Sequence, residues 1–227
     1  MDPRRALLAV LLISIATAPA GAGTIRGMLW MSTPRATSRL SAAECARLAR
    51  AQRGVTDALL YIQKVPDNVE ARLANPMAGL WPFRRPVRPK LASITQTGLQ
   101  FTPNVVMVPT GTRVEIENLD GVYHNTFSVS PAKRFDLGIY PPGRVDSVLF
   151  RRPGLVYLFC SLHADEIGYV MVTPNHVAVH PDSLGAFRLP KLPRGSYVLR
   201  VWHPHRGEFK RRVEVPRYGD VRLDLRF

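Results

Sequence analysis

A chain of 227 residues with 31 Lys and Arg against 17 Asp and Glu, net +14, has room for one large or two small domains. So basic a balance favours anionic partners: acidic redox proteins, lipid headgroups or envelope polymers. Nucleic acid is set aside, because no recognition motif accompanies the charge and because the N-terminus reads as an export signal.

That signal is the first predicted element. Arg4 and Arg5 precede an apolar run from Ala6 to Ile15, and Ala18-Pro19-Ala20 supplies small residues for cleavage after Ala20 or Ala22. Residues 1–22 therefore read as a secretory leader, too short to span a bilayer, and the expected location is periplasmic. A short helix is predicted near 42–53. Ser41 and Glu44 form a capping box, Leu40 and Cys45 stand at the staple positions, and Gly54 is a fitting stop. Residues 67–90, ending in the run "FRRPVRPK", read as a basic, proline-rich linker. From there the pattern is β. In 112–118, Val114 and Ile116 alternate with Arg113, Glu115 and Glu117, and "SYVLRVW" (196–202) alternates as well. In 221–227, Val221, Leu223, Leu225 and Phe227 alternate with charged residues. Short strands punctuated by Gly and Pro predict an all-β sandwich or barrel.

The stretch "GLVYLFCSLHADEIGYVMV" (154–172) carries the chemistry. Cys160 and His163 flank a tight turn between two apolar runs, and His124 opens another β-like run upstream. Two imidazoles and one thiolate are the ligand set of a trigonal copper site, which a weak fourth ligand tunes. The plainer readings of Cys160 are a small buried hydrophobe or a disulfide with Cys45, which an oxidising compartment invites. The accompanying histidines favour copper, which leaves Cys45 spare. His203 and His205 share a period-two face and read as a surface pair, and His176 and His180 read the same way.

Residues 91–174 resemble a cupredoxin, specifically the exported methylamine-utilisation-type proteins. The resemblance runs through N-x-D-x3-H-N (118–125), F-D-L-G-x-Y (135–140) and C-x-x-H (160–163), in that order. It implies a Greek-key sandwich with His124, Cys160 and His163 as copper ligands. It also implies that Asn125 ties its loop to Ser161. The family's axial methionine is replaced here by Glu166. An anionic oxygen in that place favours Cu(II) and lowers the potential. The alternatives are a Glu166 turned to water or an axial Met171.

The C-terminal run "DSLGAFRLPKLPRGSYVL" (182–199) resembles the transthyretin-like sandwich of carboxypeptidase regulatory domains, through Asp182, Gly185, Phe187, Leu189, Leu192, Pro193, Gly195, Tyr197 and Leu199. The opening strands of that pattern read as "TIRGMLW" (24–30) and "VTDALLYIQ" (55–63). The expected organisation is a discontinuous domain, 24–66 plus 175–227, into which the cupredoxin domain of 91–174 is inserted or to which it is joined. The functional expectation is a periplasmic one-electron copper carrier whose partner is an acidic redox protein, with contact to an anionic envelope surface as a further possibility. The alternatives are a copper-delivery module without electron transfer and a metal-free, carbohydrate-binding-like scaffold. No catalytic triad, phosphate loop or supported carboxylate pair appears, so catalysis is not expected.

Overall fold

The computed structural model describes residues 21–31, 54–74 and 92–227. The leader through residue 20, the helix predicted near 42–53 with Cys45, and residues 75–91 lie outside the described residues. The described chain is all-β apart from a 3-10 turn, Gly54–Asp57, and one α-helix, Asp67–Ala74. That helix corrects the reading of 67–90 as linker at its start. Asp67 and Glu70 fall in its first turn and Arg72 in its last, as the helix dipole favours. Val69 packs into the neighbouring apolar core.

Residues 92–173 form a two-sheet sandwich. One sheet runs Val145–Phe150, Thr112–Asn118, Ala92–Gln96, Phe101–Thr102. The other runs Val105–Pro109, Ile167–Thr173, Gly154–Phe159, His124–Ser130, Lys133–Tyr140. The chain crosses repeatedly between them, so Ala92–Gln96 pairs parallel with Thr112–Asn118, and Val105–Pro109 pairs parallel with Ile167–Thr173. Alternation selects the inner faces: Val114 and Ile116 are buried while Arg113 is exposed. The core joins Ile94, Phe101, Phe150, Leu158 and Val170, each contributing about 1.5–3 kcal/mol by leaving water. The register places the segments 97–100, 119–123, 141–144 and 160–166 at one end of this sandwich.

The second β-region pairs segments far apart in the chain. Leu59–Ile62 lies between Ala178–Val179 and Gly195–His203, and Gly207–Val215 forms the edge. Ile25–Trp30 pairs with Ala186–Arg188 on one side and runs parallel to Val221–Arg222 and Leu225–Arg226 on the other. Ala22–Gly23 pairs with Leu192–Pro193. These strands enclose one apolar core, including Ile25, Leu29, Ile62, Leu199 and Leu225. The strand expected over 221–227 is two short pairings. Between them Asp224 Oδ1 accepts from Met28 N–H at 3.1 Å, so a side chain replaces the backbone acceptor there. Its inward face is nonetheless as expected, with Leu225 buried and Val221, Leu223 and Phe227 against the core.

A third apolar cluster joins the two regions: Leu59, Tyr61 and Trp202 from one, Val105 and Met171 from the other. Tyr169 and Trp202 meet with ring centroids 5.6 Å apart.

Candidate metal centre

The end of the first sandwich at 97–100, 119–123, 141–144 and 160–166 brings four side chains together. His124 opens its strand, Cys160 follows the end of Gly154–Phe159, and His163 and Glu166 lie on the short segment leading to Ile167–Thr173. One ligand atom from each of these four lies within 4.8 Å of every other. Cys160 Sγ is 3.9 Å from His124 Nδ1 and 3.6 Å from His163 Nδ1. A metal held trigonally, at about 2.0–2.1 Å from nitrogen and about 2.3 Å from sulfur, spaces N and S roughly 3.8 Å apart. The cage thus has the size of a bound transition ion. Both imidazoles present Nδ1 inward, and their rings lie 4.7 Å apart. His124, Cys160 and Glu166 are buried, while the His163 side chain keeps 26% exposure.

Glu166 points inward. Its side chain is fully buried, with Oε2 2.8 Å from His124 Nδ1 and 3.4 Å from His163 Nδ1. Its backbone N–H donates to His163 O at 3.1 Å, which closes the loop into a tight turn. The solvent-facing alternative is therefore not the observed one. Met171 is not a ligand either. Along Ile167–Thr173 the side chains alternate, so Val170 and Val172 enter the sandwich core while Met171 faces out to Tyr61 and Trp202.

Around the four, backbone and side chains fix the geometry. Asn125 N–H points to Cys160 Sγ at 3.4 Å, and Ser161 N–H donates to Asn125 Oδ1 at 3.3 Å. Asn125 Nδ2 in turn donates to Asp136 Oδ1 and Gly138 O, at 2.7 and 2.9 Å. This cross-bracing orients the thiol before any ion arrives. Burial pushes the Cys160 thiol up, against backbone N–H groups that pull it down.

Sequence reasoning assigned no role to Asp120, Gln96, Tyr140 or Thr126. Asp120 Oδ2 is 3.0 Å from His124 Nε2, so a carboxylate holds the outer nitrogen and leaves Nδ1 for the cage. Burial raises the Asp120 carboxyl, but the N–H groups of Leu99 and Gly98 and the His124 ring outweigh that and hold it below the usual carboxylate range. Asp120 and Tyr140 stand inside the motifs at 118–125 and 135–140, which was their only signal. Gln96 and Thr126 gave none.

The other histidines have different roles. His203 is buried rather than a surface residue, packs against Phe227 with centroids 5.7 Å apart, and accepts His205 N–H at Nδ1 at 3.1 Å. His176 pairs with Glu70 at 2.5 Å, and His180 Nδ1 lies 3.1 Å from Thr56 O. Among the described residues no other group of three or more His, Cys, Asp or Glu converges.

No protein-family model matches the chain, and no curated protein matches it. Among solved structures it is similar to a copper-containing nitrite reductase from Thermus scotoductus SA-01, 24% identical over 40% of this chain, TM-score 0.37; it spans only 24% of that protein's length. It is also similar to a purple cupredoxin from Nitrosopumilus maritimus, 28% identical over 36% of this chain and 99% of that one, TM-score 0.33. A reduced amicyanin variant is 18% identical over 38% of this chain and 85% of its own, TM-score 0.35. The chemistry of the site follows from its own atoms: two imidazoles, one thiol and one carboxylate in a cage of the right size.

Proposed function

We propose that this chain is an exported copper protein of the cupredoxin type, close to the methylamine-utilisation-type proteins, and that it carries single electrons. The observation that carries the reading is the pair of Sγ–Nδ1 separations, 3.6 and 3.9 Å, with a buried carboxylate oxygen beside them. His124, Cys160 and His163 would hold the ion and Glu166 would supply the fourth donor. Copper there would supply a one-electron couple. Two anionic donors favour the oxidised ion, and a braced cage limits rearrangement between oxidation states. With Glu166 in the fourth position the chain acts as a carrier rather than an enzyme.

The same reading gives the second β-region, 24–66 plus 175–227, the role of a transthyretin-like scaffold interrupted by the copper domain of 91–174. The acidic redox partner expected from net charge meets a particular surface at the site. Leu119, Val122, Tyr123 and Leu162, on the segments that carry the ligands, are exposed. Net charge would steer the encounter and apolar contact would hold it.

Cu(II) titration of the reduced protein tests the reading. An intense thiolate-to-copper band at one equivalent is expected, with loss of that band in Cys160→Ser. A folded, reduced protein without the band would overturn it. Glu166→Met should move the spectrum toward blue and raise the potential.

A further inference from the structure

A buried carboxylate tolerates its site only when its oxygens are satisfied. Glu166 Oε2 faces the imidazoles. Its Oε1 accepts a 2.7 Å bond from Gln96 Nε2. Gln96 is the last residue of Ala92–Gln96, in the opposite sheet, and is 0% exposed. Its other amide atom, Oε1, is taken by the Tyr140 hydroxyl. Tyr140 ends the strand Lys133–Tyr140, is buried, and meets Thr126 Oγ1 at 2.5 Å. Thr126 is buried on the strand that begins with His124.

The direction of this chain follows from its chemistry. An amide oxygen has no proton, so Tyr140 must donate to Gln96 Oε1. Having used its proton there, the phenol oxygen accepts from Thr126. The amide's NH2 then faces Glu166, as an acceptor-only carboxylate requires. The opposite flip would set the amide oxygen against the carboxylate oxygen. The phenol is protonated at neutral pH at its ordinary value, and burial pushes it further up, to about 12. Successive donors polarise one another toward the carboxylate.

We infer that Gln96, locked by Tyr140 and Thr126, is the positioning residue of the fourth ligand: it occupies one oxygen of Glu166 and so presents the other, singly, to the cluster. The role rests on the copper reading above. It also explains why Glu166 stays inside rather than turning to solvent from an otherwise exposed loop. Gln96 holds more than the carboxylate, since its backbone O accepts Leu119 N–H at 3.0 Å and ties down the segment leading to Asp120 and His124.

The test compares Gln96→Met, Tyr140→Phe and Thr126→Val with Glu166→Gln. Tyr140→Phe keeps the ring and its volume, so folding is retained. Cu(II) affinity, measured by competition, should fall about 10- to 100-fold in Gln96→Met, as for other partners that orient metal ligands. It should fall less in Tyr140→Phe and least in Thr126→Val. The thiolate-to-copper band should shift in the direction set by Glu166→Gln. Adding Gln96→Met to Glu166→Gln should change neither affinity nor spectrum further. In the metal-free protein the Gln96 side-chain NH2 should be protected from solvent exchange and should shift in Glu166→Gln. An affinity and spectrum of Gln96→Met equal to wild type would overturn the inference. So would an effect that persists undiminished in the Glu166→Gln background, because Gln96 would then act through packing alone. A wild-type protein with no thiolate-to-copper band at all would instead overturn the copper reading, and the role with it.

Discussion

Nine of the twelve buried polar side chains among the described residues lie between 92 and 173, and Gln96, His124, Asn125, Thr126 and Glu166 gather at one end of that sandwich. The other β-region buries Thr24, Asn175 and His203, and its core is otherwise apolar. Both regions are built by the same alternation and the same kinds of strand. They differ in where polar atoms are admitted. Buried polar groups cost free energy unless satisfied, and each requires a partner in a particular place. One region therefore holds a rigid arrangement of donors, and the other a mostly apolar core.

Core truncation gives the largest effect and separates the regions most cleanly. Leu199→Ala, in the apolar region, should lower unfolding free energy by about 2–5 kcal/mol. The thiolate-to-copper band of the folded fraction should not change. Leu158→Ala, two residues before Cys160, should cost a similar amount and alter the band as well. Denaturation with parallel absorbance on the copper-loaded protein checks both. If Leu199→Ala disturbed the band equally, the apolar region would be shaping the site as much as the sandwich that carries it.

Gly27→Ala comes next. A Cβ there would lie 1.9 Å from the backbone oxygen of Leu223, so the C-terminal segment must shift. Overpacking of this kind costs about 1–3 kcal/mol. Urea melts should show the loss, again with the spectrum intact.

The pH dependence should touch both regions. Tyr61 and Tyr140 are each raised by burial from 10.0 to about 12. A group raised on folding contributes stability that is full below its unfolded value and disappears as pH rises through its folded value. Metal-free protein should therefore lose stability between about pH 10 and 12, and Tyr61→Phe or Tyr140→Phe should each flatten part of that slope. Asp120 is lowered, so the sign reverses. Its contribution is present above the ordinary carboxylate value and is lost as pH falls through the depressed one, and Asp120→Asn should remove it. Acid and alkaline melts check these directions.

The smallest effect concerns Thr24. Among the described residues its Oγ1 is a buried polar atom without a hydrogen-bond partner. Thr24→Val keeps the shape and removes the orphan, so stability should rise by about 1 kcal/mol, the lower end of the cost of an unsatisfied group.

Periodicity made Val114 and Ile116 legible as inward residues, because alternation is a local signal. It also carries the argument that turns Met171 away from the cage, once the strand is known to begin at Ile167. The convergence of His124, Cys160 and His163 was legible because the donor types are rare and two of them share one turn. The helix Asp67–Ala74 was not legible: the proline- and arginine-rich run beyond it dominated the reading of the whole stretch. Gln96 was not legible either, since nothing local distinguishes it from any other glutamine. Its partner, Glu166, is 70 positions away, on the turn that leads into the opposite sheet. His203 misled for a similar reason, because its burial depends on Phe227 arriving from elsewhere in the chain.

Ile25 pairs with Val221, and Met28 with the side chain of Asp224, a separation of 196 residues. A ribosome makes one side of that ladder well before the other. Residues 92–173 contain every strand of their own two sheets, so this part can condense while the early strand still waits for its mate. Closing so long a loop is slow relative to local pairing. In refolding from denaturant, exchange protection at Val114 and Val170 should appear before protection at Leu29. Until the late strands arrive, Ile25 and Leu29 are an unpaired apolar edge, the kind of segment that holdase chaperones grip.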